Sequence, residues 1–206
     1  MAVVQYKKKE EANQLAGIAT VILGSYEAPQ AQGPYELLLP SALDSTGRLV
    51  PGATARFAAD SPATRRALLQ PGDVLLPAKG GRYPATLVMA ELAGRVASSG
   101  FFVLRPKLEV LPAYLVAYLN QPATQRRLQE MTHASTTVPV LNKAHFLATP
   151  IELPPLPVQQ RLADLHQLWL HEQQLTEQLL QQKALLYQQA FQNAIQAVTG
   201  TFSSLS

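Results

Sequence analysis

Pro150-Ile-Glu-Leu-Pro-Pro-Leu-Pro-Val-Gln-Gln160 is where an extended segment gives way to one long helix. Pro154, Pro155 and Pro157 cannot sit inside a helix, but Pro157 suits its first turn, where a missing N–H costs nothing. Neither proline nor glycine occurs from Val158 to Val198. At about 1.5 Å per residue this predicts a rod of roughly 60 Å. Ahead of it, ~155 residues suffice for one ordinary domain with a core of its own. A rod of that length outreaches such a domain, so its apolar face calls for a partner.

The rod carries two apolar stripes. Leu165, Leu168, Leu175, Leu179 and Leu186 occupy a and d positions of a heptad, interrupted by Glu172, Gln182 and Gln189. Leu162, Trp169, Leu180, Tyr187 and Phe191 run beside them. Together they form a face broader than a single coiled-coil seam. Folding back onto its own domain is the competing use of that face.

Charge is unevenly placed. The net charge is +3; residues 1–158 hold fifteen Lys/Arg against eleven Asp/Glu, and residues 159–206 hold two against three. The basic excess thus lies on the globular part, which fits nucleic acid without requiring it. Cysteine is absent, which excludes disulfides and thiolate metal sites. Apolar runs such as Tyr114–Leu119 are far too short to span a bilayer. The start, Met1-Ala-Val-Val-Gln-Tyr-Lys-Lys-Lys9, lacks an export signal, so a cytoplasmic protein is expected.

Along the first 157 residues the pattern predicts an α+β domain with a mixed sheet. Residues 13–24 read as a turn or short helix leading into a β-branched strand, and Tyr35–Leu39 as a second strand. Residues 51–63, rich in Ala, Pro and Thr, read as an irregular connection. Pro71-Gly-Asp73 signals a turn before a buried strand at Val74–Leu76, and Lys79-Gly-Gly-Arg82 a flexible basic loop. Strands are expected at Ala85–Met89 and Gly100–Arg105, and proline-initiated helices at Pro112–Asn120 and Pro122–Met131. His133–Val140 reads as a loop, Asn142–Leu147 as a short helix and Thr149–Leu153 as a last strand. The expected organisation is a domain over 1–157, a long helix over 158–198 and a tail over 199–206.

Catalytic constellations are missing. No glycine-rich phosphate loop is present. Leu153-Pro-Pro-Leu156 has neither the polar first residue nor the aromatic last one of the amino-methyltransferase motif. Asp73 and Glu91 are the best acidic pair for metal-assisted cleavage, but no lysine closely follows Glu91, and Asp73 fits a turn. The histidines His133, His145, His166 and His171 are dispersed, the last two on different helix faces. The expectation is a protein without enzymatic activity, cofactor or metal.

Five blocks, in order, resemble one half of the DNA-specificity (S) subunit of type I restriction–modification systems. They are Gln14–Gly24, Gln70–Gly80, Ser99–Pro106 with Pro112–Asn120, Thr136–Phe146 and Ile151–Gln160, the last being the most specific. The resemblance implies a target-recognition domain that reads half of a split site in double-stranded DNA. It further implies a helix that spaces this domain from a second one and docks methyltransferase (M) subunits, with a restriction (R) subunit as a further partner. S subunits carry two such units in tandem; this chain shows one, and antiparallel pairing with a second copy would restore the two-domain arrangement.

Under this reading the DNA contacts are Lys79, Gly80, Gly81, Arg82 and Tyr83, where two glycines let a loop approach another backbone. Arg56, Arg65 and Arg66 form a second basic cluster, and Thr136 and Thr137 offer small polar contacts. The alternative is an interaction protein that docks through its helix without reading DNA; sequence preference above the salt-sensitive background separates the two.

Overall fold

The computed structural model describes residues 14–26, 32–44, 50, 55–57, 61–133 and 138–203. The chain divides into two compact units, Met1–Ala163 and Asp164–Ser206. The described parts of the first form an α+β domain of mixed sheets, as the sequence leads one to expect.

Its centre is a four-stranded antiparallel sheet of β1 (Ala19–Leu23), β4 (Val74–Pro77), β5 (Thr86–Leu87) and β7 (Phe101–Pro106), in the order β1-β7-β4-β5. Val74 lies opposite Leu104 and Leu76 opposite Phe102. Alternate residues serve two cores. Val74, Leu76, Phe102 and Leu104 face a larger cluster with Leu115, Leu128 and Phe146. Leu75, Phe101 and Val103 face a second cluster with Leu38, Leu69 and Leu92. With both faces covered, strands β4 and β7 read as continuous apolar runs instead of alternating ones.

The larger core is closed by α3 (Pro112–Leu119), α4 (Pro122–Glu130) and α5 (Lys143–Leu147), and by α1 (Leu15–Ile18), which leads directly into β1. Proline stands in the first turn of α3 and α4, and Asn142 caps α5 by accepting from the His145 amide at 3.1 Å. Beside the second core, β2 (Tyr35–Leu38) pairs antiparallel with β3 (Ala55–Phe57) and parallel with β6 (Val96–Ala97). The helix α2 (Pro62–Arg66) is capped by the Ser61 side chain, which accepts from Thr64 N at 3.1 Å. A small ladder of β8 (Thr132–His133) and β9 (Val140–Leu141) completes the domain.

Three expectations need correction. Within residues 51–63, Ala55–Phe57 is a strand and Pro62–Arg66 a helix; β2 supplies the partner that local composition does not reveal. Val96–Ala97, unforeseen, is a strand held on both sides, by β2 and by a bridge from Leu68. Thr149–Leu153 is not a strand; Pro150 makes an isolated bridge to Gln14 and no ladder follows, since Pro150, Pro154 and Pro155 have no N–H to donate.

The long helix α6 spans Leu156–Ser203, exceeding Val158–Val198 at both ends. Gln159 fixes its first turn: its buried amide accepts from Leu111 N at 2.9 Å and donates to Glu109 O at 3.0 Å and Pro154 O at 2.8 Å. Among the described residues no helix is long and apolar enough to cross a membrane.

Candidate nucleic-acid interface

The Lys79–Arg82 loop follows β4 and is anchored on both sides. On one side Lys79 bridges Val140, Gly80 N donates to Pro139 O at 2.9 Å, and Leu141 N donates to Ala78 O at 3.0 Å. On the other, Gln125 donates to Tyr83 O at 2.7 Å and accepts from Tyr83 N at 3.3 Å. Asn120 brackets Ala85 in the same way, with both bonds at 2.8 Å. The Gln129 side chain donates to Gly81 O at 3.1 Å. The loop is thus a rigidly held projection, not the free basic loop the sequence suggests.

Between these anchors Lys79, Gly81 and Arg82 are exposed. A Cβ added at Gly80 or Gly81 would meet no atom within 4 Å. Gly80 also has φ +110°, a conformation that L side chains rarely adopt. An exposed cationic loop with open space above two glycines can accept a close approach by a phosphate backbone or a base edge.

Tyr83 has to be removed from the contact set. Its side chain is fully buried in the larger core, because the amide brackets of Gln125 and Asn120 hold residues 83–85 like a paired strand and turn the ring inward. Burial pushes its hydroxyl pKa up.

The second basic cluster lies elsewhere in the fold. Arg56 stands on β3 and pairs at 3.6 Å with Glu36 of β2, which Arg95 also reaches at 2.9 Å. Its charge is thereby partly neutralised. Arg65 and Arg66 are exposed on α2, where Arg66 donates to Pro62 O at 3.1 Å. Thr136 and Thr137 lie outside the described residues; Val138, which follows them, lies beside Lys79 and Gly80 in one cleft.

Sequence reasoning placed Asp73 correctly in a turn but missed its partner. Asp73 is buried and grips Arg105 of β7 through two bonds of 2.8 and 2.9 Å, while accepting from Gln70 N at 2.9 Å. The hydrogen bond that Arg105 donates to Asp73 raises the Arg105 pKa further. The available signal was a lone arginine ending an apolar strand run. Asp73 is committed to this pair, and among the described residues no group of acidic or histidine side chains could hold a metal ion.

Asp164–Ser206, considered alone, is helical through Ser203. Leu165, Leu168, Trp169, Leu175, Leu179, Leu180, Leu186, Tyr187 and Phe191 are each more than half exposed. Leu162, on the preceding turn, is 42% exposed. Leu185 belongs with them and escaped the heptad reading. So many exposed large apolar side chains along one helix are unusual on a protein surface.

No protein-family model and no curated protein matches the chain. Solved structures do. The HsdS subunit from Thermoanaerobacter tengcongensis superposes with a TM-score of 0.52 at 17% identity, covering 78% of this chain and 36% of that one. A chain from work on complex assembly and conformational transition of the type I R-M system gives 0.54 at 18% identity, with 79% and 37% covered. The fold is therefore that of type I specificity subunits. The chain spans just over a third of the length of these neighbours.

Proposed function

We propose that this protein is a sequence-specific DNA-recognition subunit of a type I restriction–modification complex, without catalytic activity of its own. The observation that carries the reading is the exposed Lys79–Arg82 loop, locked onto a domain with the HsdS fold and opened by Gly80 and Gly81. Arg82 can fork onto guanine O6 and N7, and Lys79 neutralises phosphate. Arg65 and Arg66 add backbone contacts, and Thr136 and Thr137 small polar ones. The domain reads one half of a split site. The exposed apolar face of α6 pairs antiparallel with a second copy and receives methyltransferase subunits, with a restriction subunit as a further partner.

Selection from a random duplex library tests this directly. The chain should enrich one sequence, and a paired assembly should enrich an inverted repeat of it. Arg82→Ala should relax base preference at one position by about 1–3 kcal/mol, and Lys79→Ala/Arg82→Ala should weaken binding as well. Unchanged affinity and selectivity in that double variant would remove the loop from the interface.

A further inference from the structure

A cleft opens beside the basic loop where five separate segments meet. Ser25 and Tyr26 follow β1, Leu39 and Pro40 follow β2, Ser98–Gly100 precede β7, and Lys79, Gly80 and Val138 close it. The walls are set by close backbone approaches. A Cβ on Gly24 would stand 1.9 Å from Ser98 O, and one on Gly100 would stand 2.7 Å from Pro40 Cγ and 3.4 Å from Ser98 Oγ. Ser25 N donates to Ala97 O, and Ser99 N to Ser25 O, both at 2.8 Å. The root of Tyr26 is therefore fixed, while its side chain is 91% exposed.

The chemistry of the cleft is specific. Pro40, Gly100 and Val138 offer apolar surface, and the Tyr26 ring stands exposed at the same cleft. Ser25 Oγ and Ser98 Oγ, in residues only 3% and 6% exposed, are buried behind this surface and have no hydrogen-bond partner among the described residues. Lys79, the cation of the basic loop, lines the same cleft. An apolar recess beside the exposed cation of the loop fits a base edge in the DNA major groove that carries an apolar group. Thymine presents its C5-methyl group next to the O4 acceptor, and its phosphate would lie toward the lysine.

We infer that this cleft reads a thymine, with Tyr26 as the specificity-determining side chain against the methyl group. The inference rests on the DNA-recognition reading above and names the base class and residue that reading leaves open. Tyrosine suits the role because a rigid ring with a polar tip supplies contact area at low conformational cost.

The test uses the full chain and the duplex it selects. Each thymine is replaced in turn by deoxyuridine, which removes only the methyl group, and affinities are measured for the wild type, Tyr26→Ala and Tyr26→Phe. At one position the wild type and Tyr26→Phe should lose about fourfold, the worth of one methyl group taken from water, and Tyr26→Ala should lose nothing further. Lys79→Ala should instead weaken all duplexes alike and lower the salt dependence by about one phosphate contact. The thymine assignment is overturned if no replacement matters to the wild type, or if the loss persists unchanged in Tyr26→Ala. A wild-type chain that selects no sequence at all overturns the recognition reading itself. Tyr26 is a surface side chain, so its variants keep the fold.

Discussion

Asp73 shows how one side chain can serve several structural needs. Its carboxylate satisfies the Gln70 amide within the turn and holds Arg105 from the neighbouring strand. Asp73→Ala leaves a half-buried guanidinium and a backbone N–H without their acceptor. Because Arg105 retains about a third of its side-chain exposure, water offsets part of the loss, and about 2–3 kcal/mol of stability should disappear. Urea denaturation of the two proteins measures it; a difference below ~1 kcal/mol would show that solvent replaces the pair. Tyr83 teaches the complementary lesson at this scale. Adjacent glycines and a nearby arginine read as a contact loop, whereas the amides that turn the ring inward come from Asn120 and Gln125, some forty residues on.

At the scale of elements, proline is the most legible signal in this sequence. It acts locally, by removing a donor and fixing φ, and so the starts of α3, α4 and α6 can be read from the chain alone. The strands β3 and β6 are not legible, since each is short and exists through β2, which is remote in sequence. The α6 face is legible because a 3.6-residue period needs no distant information; what covers it is a separate matter. Fully burying Leu175 and Leu179 contributes on the order of 1.5–3 kcal/mol each. Leu175→Asp/Leu179→Asp should therefore dissociate a self-paired assembly in sedimentation equilibrium at micromolar concentration. A wild type that sediments as a monomer, alone and with a methyltransferase subunit, would end the pairing proposal.

The helix α3 carries a second element-scale consequence. Tyr114 is buried and its hydroxyl donates to Glu152 O. Burial, with smaller contributions from Tyr118 and Glu152, pushes its pKa up to about 12 from the ordinary 10.0. The folded state thus favours the protonated phenol. The corresponding stability is complete below about pH 10 and is lost as pH rises toward the folded value of about 12. Tyr114→Phe should be less stable at pH 8, through the lost hydrogen bond, yet decline less steeply between pH 10 and 12. Denaturant titrations at several pH values measure both slopes, and parallel curves would refute the assignment.

On the scale of the whole molecule, the proposed function divides recognition and chemistry between proteins. The purified chain, given DNA and S-adenosylmethionine, should transfer no methyl groups, and activity should arise only when a methyltransferase subunit is added. Methylation by the rigorously purified chain, followed with a tritiated donor, would overturn that division.

The central sheet poses a problem of its own. Because β4 and β7 are apolar on both faces, sliding one past the other by a residue would exchange buried side chains for buried side chains. In a one-sided sheet such a slip is punished by exposing every hydrophobic group; here that penalty is largely absent. The pair Asp73–Arg105 restores it. Val74 faces Leu104, so the next rung outward sets aspartate against arginine, and a slip of one residue either way sets Asp73 against Leu104 or Pro106 instead and leaves Arg105 without its carboxylate. The same ion pair that adds modestly to stability therefore discriminates the native alignment from its near neighbours. It protects the uniqueness of the fold, in which the Lys79–Arg82 loop stands at the far end of β4.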